Sequence, residues 1–374
     1  MKPRILFPLL SLCMAMTANA GSVRLLSGET YEGKLQFVNN QIVVNASKNS
    51  TTPVDLSNVL DAVFQPIHGE KGNALPRGAM LINGTVLAGT IGIPDASAPV
   101  KLGDITVPAT SIAWLIYGQM PRTKIPTVSS GQTGVILPDG QFFPGTIGDI
   151  VDKKVAINSA IFGPQRFLIA GGDRAQINAL VLRDVQPNIG HYEVIAKDGS
   201  TYLVDAIRTD VDGILIHDSI AGDVKIKNDN LSEIRLSSRQ YQYLTGLKPA
   251  QVDVPKGGDA TAAFKVETVD DIDNMESLLT APNAAISYQI PQGFTTFSCT
   301  IFIPKDAVTG ARYTFSIYGD GRLLSRSVPI AAGDNPQHIS VALANTRMMA
   351  LRLEPMAPNG AAWGKWAQPM FMRP

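Results

Sequence analysis

The feature that most constrains this chain is a glycine that returns on a fixed period. Glycines 28, 84 and 140 stand 56 residues apart, and each is followed five residues later by a second glycine, 33, 89 and 145. A fourth stretch, Lys197-Asp-Gly-Ser-Thr-Tyr-Leu-Val204, keeps the turn at Gly199 and puts Val204 where the second glycine would stand. In Val135-Ile-Leu-Pro-Asp-Gly-Gln-Phe-Phe-Pro-Gly-Thr-Ile147 the Asp139-Gly140 pair supplies the positive φ that a tight hairpin needs. Gly145 marks a bulge or a close backbone approach in the returning strand. A constant period of this length is the signature of a tandem repeat.

Each repeat closes on an apolar-x-x-apolar-x-apolar strand: Val59, Ala62, Phe64; Ile112, Leu115, Tyr117; Ile177, Leu180, Leu182; Leu231, Ile234, Leu236. Between opening and closing strands lie alternating runs such as Gln41–Asn45, Lys154–Asn158 and Gly213–His217, each with one face for a core and one for water. With 33 glycines and 25 prolines punctuating β-branched runs, the expectation is an all-β chain of small SH3-like units, four or five strands each. The expected units are 21–66, 77–119, 132–186 and 190–239, with the Ala170–Asp173 segment interrupting the third. The opening pattern resembles that of Sm-like small barrels. The aspartate and Met-Asn pair that Sm proteins use for RNA are absent from Gln36–Val44, so no nucleic-acid binding is implied.

Residues 1–20 read as an export signal, with Lys2 and Arg4, an apolar run from Ile5 to Met16, and Ala18-Asn-Ala20 as the cleavage site. No later run is long enough to span a bilayer as a helix. The expected location is therefore periplasmic, cell-surface or extracellular. Removing the signal leaves Cys299 as the sole cysteine, which excludes an internal disulfide and leaves stability to burial. Thirty-two basic residues balance 32 acidic ones, so the charge footprint of a nucleic-acid or anionic-membrane binder is missing.

Residues 240–259 change composition and read as a connector, after which 260–374 carries longer, more aromatic strands: Ile286–Ile290, Phe297–Ile303, Tyr313–Tyr318 and Met349–Leu353. Alternation and turns predict an antiparallel sandwich. Phe294–Ser298, Tyr313-Thr-Phe-Ser-Ile-Tyr-Gly-Asp-Gly-Arg-Leu-Leu324 and Asn359–Ala367 resemble the NPCBM carbohydrate-binding modules, first noted beside glycoside hydrolases. That resemblance, which reaches back into Tyr243–Pro249, implies a galactose-binding-like jelly roll. It departs at two points: Ala281 stands where the family usually has a histidine, and Trp363-Gly-Lys365 replaces a loop that usually holds Asp and His.

No enzyme constellation announces itself. His68, His191, His217 and His338 are scattered, and Asp270–Asp273 lacks the glycine and distal glutamate of an EF-hand loop. No cofactor or metal is expected, and Cys299 and Trp114 read as packed core. Sugar modules stack pyranose rings on exposed aromatics and hydrogen-bond the hydroxyls around them. The candidate site is accordingly Trp363 and Trp366 as rings, with Tyr318, Asp320 and Arg322 from a turn expected nearby. Trp366, an alternate residue in a final strand, competes for the core. The reading is an exported, non-catalytic protein that engages a glycan or a cell-envelope protein. A β-repeat interaction protein with a module that binds no sugar is the rival, and a glycoside hydrolase the least supported.

Overall fold

The computed structural model describes residues 21–47, 50–65, 74–91, 98–121, 124–169, 176–187, 190–267, 276–305, 307, 312–356 and 362–374. The expected signal at 1–20, the Ala170–Asp173 interruption, the Asp270–Asp273 cluster and His68 lie outside them. The chain is all-β and its sheets are antiparallel.

The four glycine hairpins are the same object. The N–H groups of Gly28, Gly84, Gly140 and Gly199 each donate to the carbonyl three residues back, at 2.9–3.0 Å, and φ at the four glycines is 87, 87, 91 and 93°. The preceding residue accepts from the N–H two residues on: Ser27 from Glu29, Asn83 from Thr85, Asp139 from Gln141, Asp198 from Ser200. Only the glycine is left-handed, so the turn is a three-residue loop ending in a glycine bulge, with the positive φ where Asp139-Gly140 led one to expect it. A Cβ on Gly140 would also stand 2.7 Å from the Lys124 carbonyl oxygen, and one on Gly84 2.9 Å from Pro187. Gly140→Val and Gly84→Val are each expected to lose about 1 kcal/mol or more, read as a lowered urea midpoint at constant slope. The second glycine serves close approach, since a Cβ on Gly33 or Gly145 would meet the backbone of Asn45 or Asn158 at 2.6–2.8 Å.

After each hairpin come further short strands and then a closing strand that pairs with the unit's own first strand: Val59–Val63 on Gly21–Leu25, Ile112–Ile116 on Gly78–Leu81, Ala179–Val181 on Gly134–Ile136, Leu231–Leu236 on Tyr192–Ala196. The other edge of each closing strand takes a second closing strand. Ala62 faces Ile234 and Leu115 faces Leu180, so the first unit pairs with the fourth and the second with the third. One paired strand position, Thr201 opposite Val86, joins the two pairs into one 14-stranded sheet with units in the order third, second, fourth, first. One apolar core runs through all four, from Val23 and Phe37 to Ile214 and Ile234. Trp114 belongs to a smaller core beside it, with Leu75, Ile116 and Ile136.

Where the second and fourth units meet, the tip of one hairpin is held by a buried polar knot. Asp218, fully buried, accepts from Asn83 Nδ2 at 3.1 Å, from the Thr85 hydroxyl at 2.5 Å and from the N–H groups of Ile220 and Ala221 at 2.8 and 2.7 Å. The reciprocal contact runs from the N–H of Ala88 to Ser200 Oγ, 2.9 Å. On the opposite face of the first and fourth units a row of alternating charge, Arg24, Asp61, Arg235 and Glu193, crosses four strands in register. Partly exposed pairs of this kind add little energy, so the row chiefly fixes which strands pair. His191 packs edge-on to Tyr192, and burial holds its pKa below the ordinary value although Asp205 opposes this. A histidine depressed in the fold binds fewer protons than the unfolded chain, so it costs stability as pH falls through about 6.5. Thermal melts from pH 7.5 to 5.5 should therefore show a smaller decline for His191→Gln than for the native chain.

Residues beyond Tyr241 build a sandwich of two six-stranded sheets. One contains Ser277–Thr280, Gly364–Met372, Thr296–Phe302 and Gln337–Ala342, and the other Ala285–Gln289, Met348–Pro355, Arg312–Gly319 and Arg322–Arg326. Tyr288, Phe297, Tyr313, Phe315, Trp366 and Phe371 fill the space between them, and Cys299 is buried there with its thiol pushed up by burial. It is a core residue, with no partner thiol among the described residues. Connector residues Tyr241–Tyr243 add an edge strand to the last strand of the sandwich.

Candidate functional site

The two tryptophans of the last strand separate cleanly. Trp366 is fully buried, edge-on to Phe315 at 4.9 Å, with its indole N–H on Thr280 Oγ1 at 3.1 Å. With no ring face open, it is not a stacking platform, which corrects that part of the sequence reading. Trp363, at the entrance to the strand, is only partly buried. Lys265 Nζ lies 5.0 Å from its ring centroid.

The register shows what surrounds this ring. Thr280 pairs with Gly364 and Leu279 with both Lys365 and Lys265, so strands from three parts of the sequence meet beside Trp363. Lys365 Nζ reaches Glu267 Oε2 at 3.3 Å and sits 5.6 Å over the Phe302 ring. A half-open indole thus has one ammonium group, that of Lys265, over its ring, while the Lys365–Glu267 pair stands on the same three strands, an apolar face with hydrogen-bonding tips in its neighbourhood. Ala281 follows Thr280 directly and therefore lies at the same end. Where the resemblance leads one to expect a histidine, this end has a methyl group.

Tyr318, Asp320 and Arg322 are not part of this grouping. Tyr313 pairs with Pro355 and its hydroxyl accepts from the Ala362 N–H at 2.8 Å, placing the start of that strand beside Trp363. Gly319 is six residues further along and pairs with Met349, so its turn lies roughly 20 Å away at the other end of the sandwich. There Asp320 (φ 47°) and Gly321 (φ 80°) form a two-residue turn with both residues left-handed. The Asp320 carboxylate accepts from the N–H groups of Arg347 and Met348, at 3.1 and 2.9 Å, which holds its pKa below the usual range. Its acceptors are used to fasten a neighbouring strand. Tyr318 donates to Glu354, which also binds Ser316 and Arg326 on the sheet's outer face, and Arg322 is exposed. Lys265 was missed because only the strand register brings it to Trp363.

Among the described residues no group of three or more His, Cys, Asp or Glu is placed to hold a metal ion, and no helix is long and apolar enough to cross a membrane. His217 pairs with Asp223 at 2.7 Å on an exposed hairpin, with no nucleophile in the pair.

Residues 268–372 match the model of the NPCBM/NEW2 domain. The chain carries an NPCBM/NEW2 domain. No curated protein matches the chain. Among solved structures it is similar to a CBM51 of Clostridium perfringens GH95 in complex with methyl-galactose, at 14% identity and TM-score 0.30, over 35% of this chain and 99% of that one. It is also similar to the CBM51-2 and INT domains of Clostridium perfringens ZmpB in complex with GlcNAc, at 12% identity and TM-score 0.30, over 60% of this chain and 45% of that one. A family 6 carbohydrate-binding module is similar at 13% identity and TM-score 0.22, over 36% and 93% of the two chains.

Proposed function

We propose that this is an exported, non-catalytic glycan-binding protein whose NPCBM/NEW2 domain receives sugar at the Trp363 end of the sandwich. The observation that carries the reading is the half-open Trp363 ring within residues matched by the NPCBM/NEW2 model, with Lys265 Nζ 5.0 Å from its centroid and the Lys365–Glu267 pair on the neighbouring strands. A pyranose would lie against the indole while the ammonium and carboxylate tips take its hydroxyls. Lys265, on a flexible stem, swings from the ring to a sugar oxygen. The repeats would then act as the mount that presents the domain. Trp363→Ala should lower affinity for a glycan-array hit several-fold, the loss of one stacking contact of about 0.5–1.5 kcal/mol, with little change in melting temperature. A native chain that binds nothing on the array would remove this reading.

The rival, an assembly protein, draws on one specific patch. Ile161 and Phe162 are 78% and 62% exposed at a hairpin tip of the third unit. Apolar side chains so open mark a surface available to another protein. Sedimentation of the native chain and of Ile161→Ser/Phe162→Ser separates the two: an assembly that dissolves with the double variant, with no glycan bound, favours the rival.

A further inference from the structure

Three of the four glycine hairpins end on other repeat residues or their linkers, but the first reaches the sandwich. The carbonyl of Ser27 accepts from Thr300 Oγ1, on the outer face of the sheet that carries Trp363's strand. The docking is incomplete: between the hairpin and that face remains a cleft of about 420 Å³. That volume falls within the roughly 300–1,000 Å³ of small-molecule sites.

Its walls are chemically one-sided. Leu25, Leu26 and Met372 supply apolar surface, while Asn58 enters from the first unit and Ser298, Ser340 and His338 from the sandwich. Ser298 faces Ser340 and Thr300 faces His338 across neighbouring strands, so hydroxyls and an imidazole form a grid on one face. Among the described residues no lysine or acidic side chain lines the cleft. Its one guanidinium, Arg373, is engaged: Nε donates to the Arg239 carbonyl at 3.0 Å, and the group lies 4.7 Å over the Phe294 ring. The Nη groups of Arg373 remain as donors at one edge, and an apolar ligand would strand the hydroxyls. Groups that both donate and accept, beside a few apolar ones, suit a ring of alcohols with an apolar face.

We propose that this junction cleft is a second saccharide site, taking a short neutral sugar between the first repeat and the NPCBM/NEW2 domain. The proposal rests on the glycan-binding reading and adds to it a site that neither part completes alone. Sugar bound there would tie the domain to its mount, coupling occupancy to the rigidity of the joint.

The test uses the chain from Gly21 to Pro374, titrated by saturation-transfer NMR and calorimetry with the methyl glycosides of glucose, galactose and N-acetylglucosamine. Ser340→Trp fills the cleft from an exposed strand position, and Asn58→Trp fills it from the other wall. The expected result is that one of these glycosides binds, that each blocking variant weakens binding at least tenfold, and that the binding removed by the blocking variants persists in Trp363→Ala as a separate component. Native-like affinity in both blocking variants, with melting curves unchanged, overturns the cleft. Binding abolished by Trp363→Ala alone removes the cleft while leaving the proposed function standing. No binding of any of the three by the native chain overturns the cleft, and the array decides the function separately. Should Ser340→Trp fail to fold, Asn58→Trp decides.

Discussion

Asp218→Ala is expected to lower the stability of the repeat region by about 3 kcal/mol or more, since it orphans several buried donors, each costing roughly 1–3 kcal/mol. Asn83 and Thr85 belong to the second unit and Asp218 to the fourth, with all three nearly or fully out of solvent. The loss therefore falls on the seam between units. Asn83→Ala should cost less, because Asp218 keeps its three other donors. A double-mutant cycle on the pair, read from urea midpoints, should show a coupling of about 0.5–3 kcal/mol. Additive effects would mean that the knot does not hold the two units together.

The second large effect belongs to Trp366→Ala, about 3–5 kcal/mol, as for other buried tryptophans cut to alanine. The change empties the space beside Phe315 and leaves Thr280 without its donor. Trp366→Phe should retain most of the packing and lose only the hydrogen bond. Trp363→Ala, three residues earlier, should leave melting nearly unchanged. Melting curves of the three variants in the full chain check the contrast, and equal losses for Trp363→Ala and Trp366→Ala would contradict the separation of the two rings.

How far the sequence could be read depended on whether the relevant interaction is local. The glycine hairpins were legible because their geometry is decided within five residues, by a left-handed glycine and the side chain before it. The turn subtype was not, since Asp139-Gly140 fits either kind until the φ of Asp139 is known. The pairing of units was illegible: Val59–Val63, Ile112–Ile116, Ala179–Val181 and Leu231–Leu236 are alike in pattern, and nothing local tells one which other to accept. At the sandwich, the matched segments Tyr313–Leu324 and Asn359–Ala367 announced the domain, and alternation hinted that Trp366 points inward. Lys265 lies about 100 residues from Trp363 in the chain, so only sheet register makes them neighbours. The Tyr318–Arg322 turn was misplaced for the same reason. A turn's chemistry is local, but the end of the sandwich it occupies follows from the threading of the sheets.

The nested pairing of the units has a consequence for how such a chain reaches its native state. Tandem repeats usually stack on sequence neighbours and grow one at a time. Here the first unit's closing strand waits for a partner some 170 residues downstream, as an opening bracket waits for its close, while the second and third units pair inside. Until the fourth unit arrives, Val59–Val63 is a bare apolar edge, open to any strand that meets it. Such long-range closure makes assembly slow and late. A chain cut after the third unit would therefore leave its first unit with a permanently sticky flank, and aggregation, more than partial activity, is the outcome of truncation.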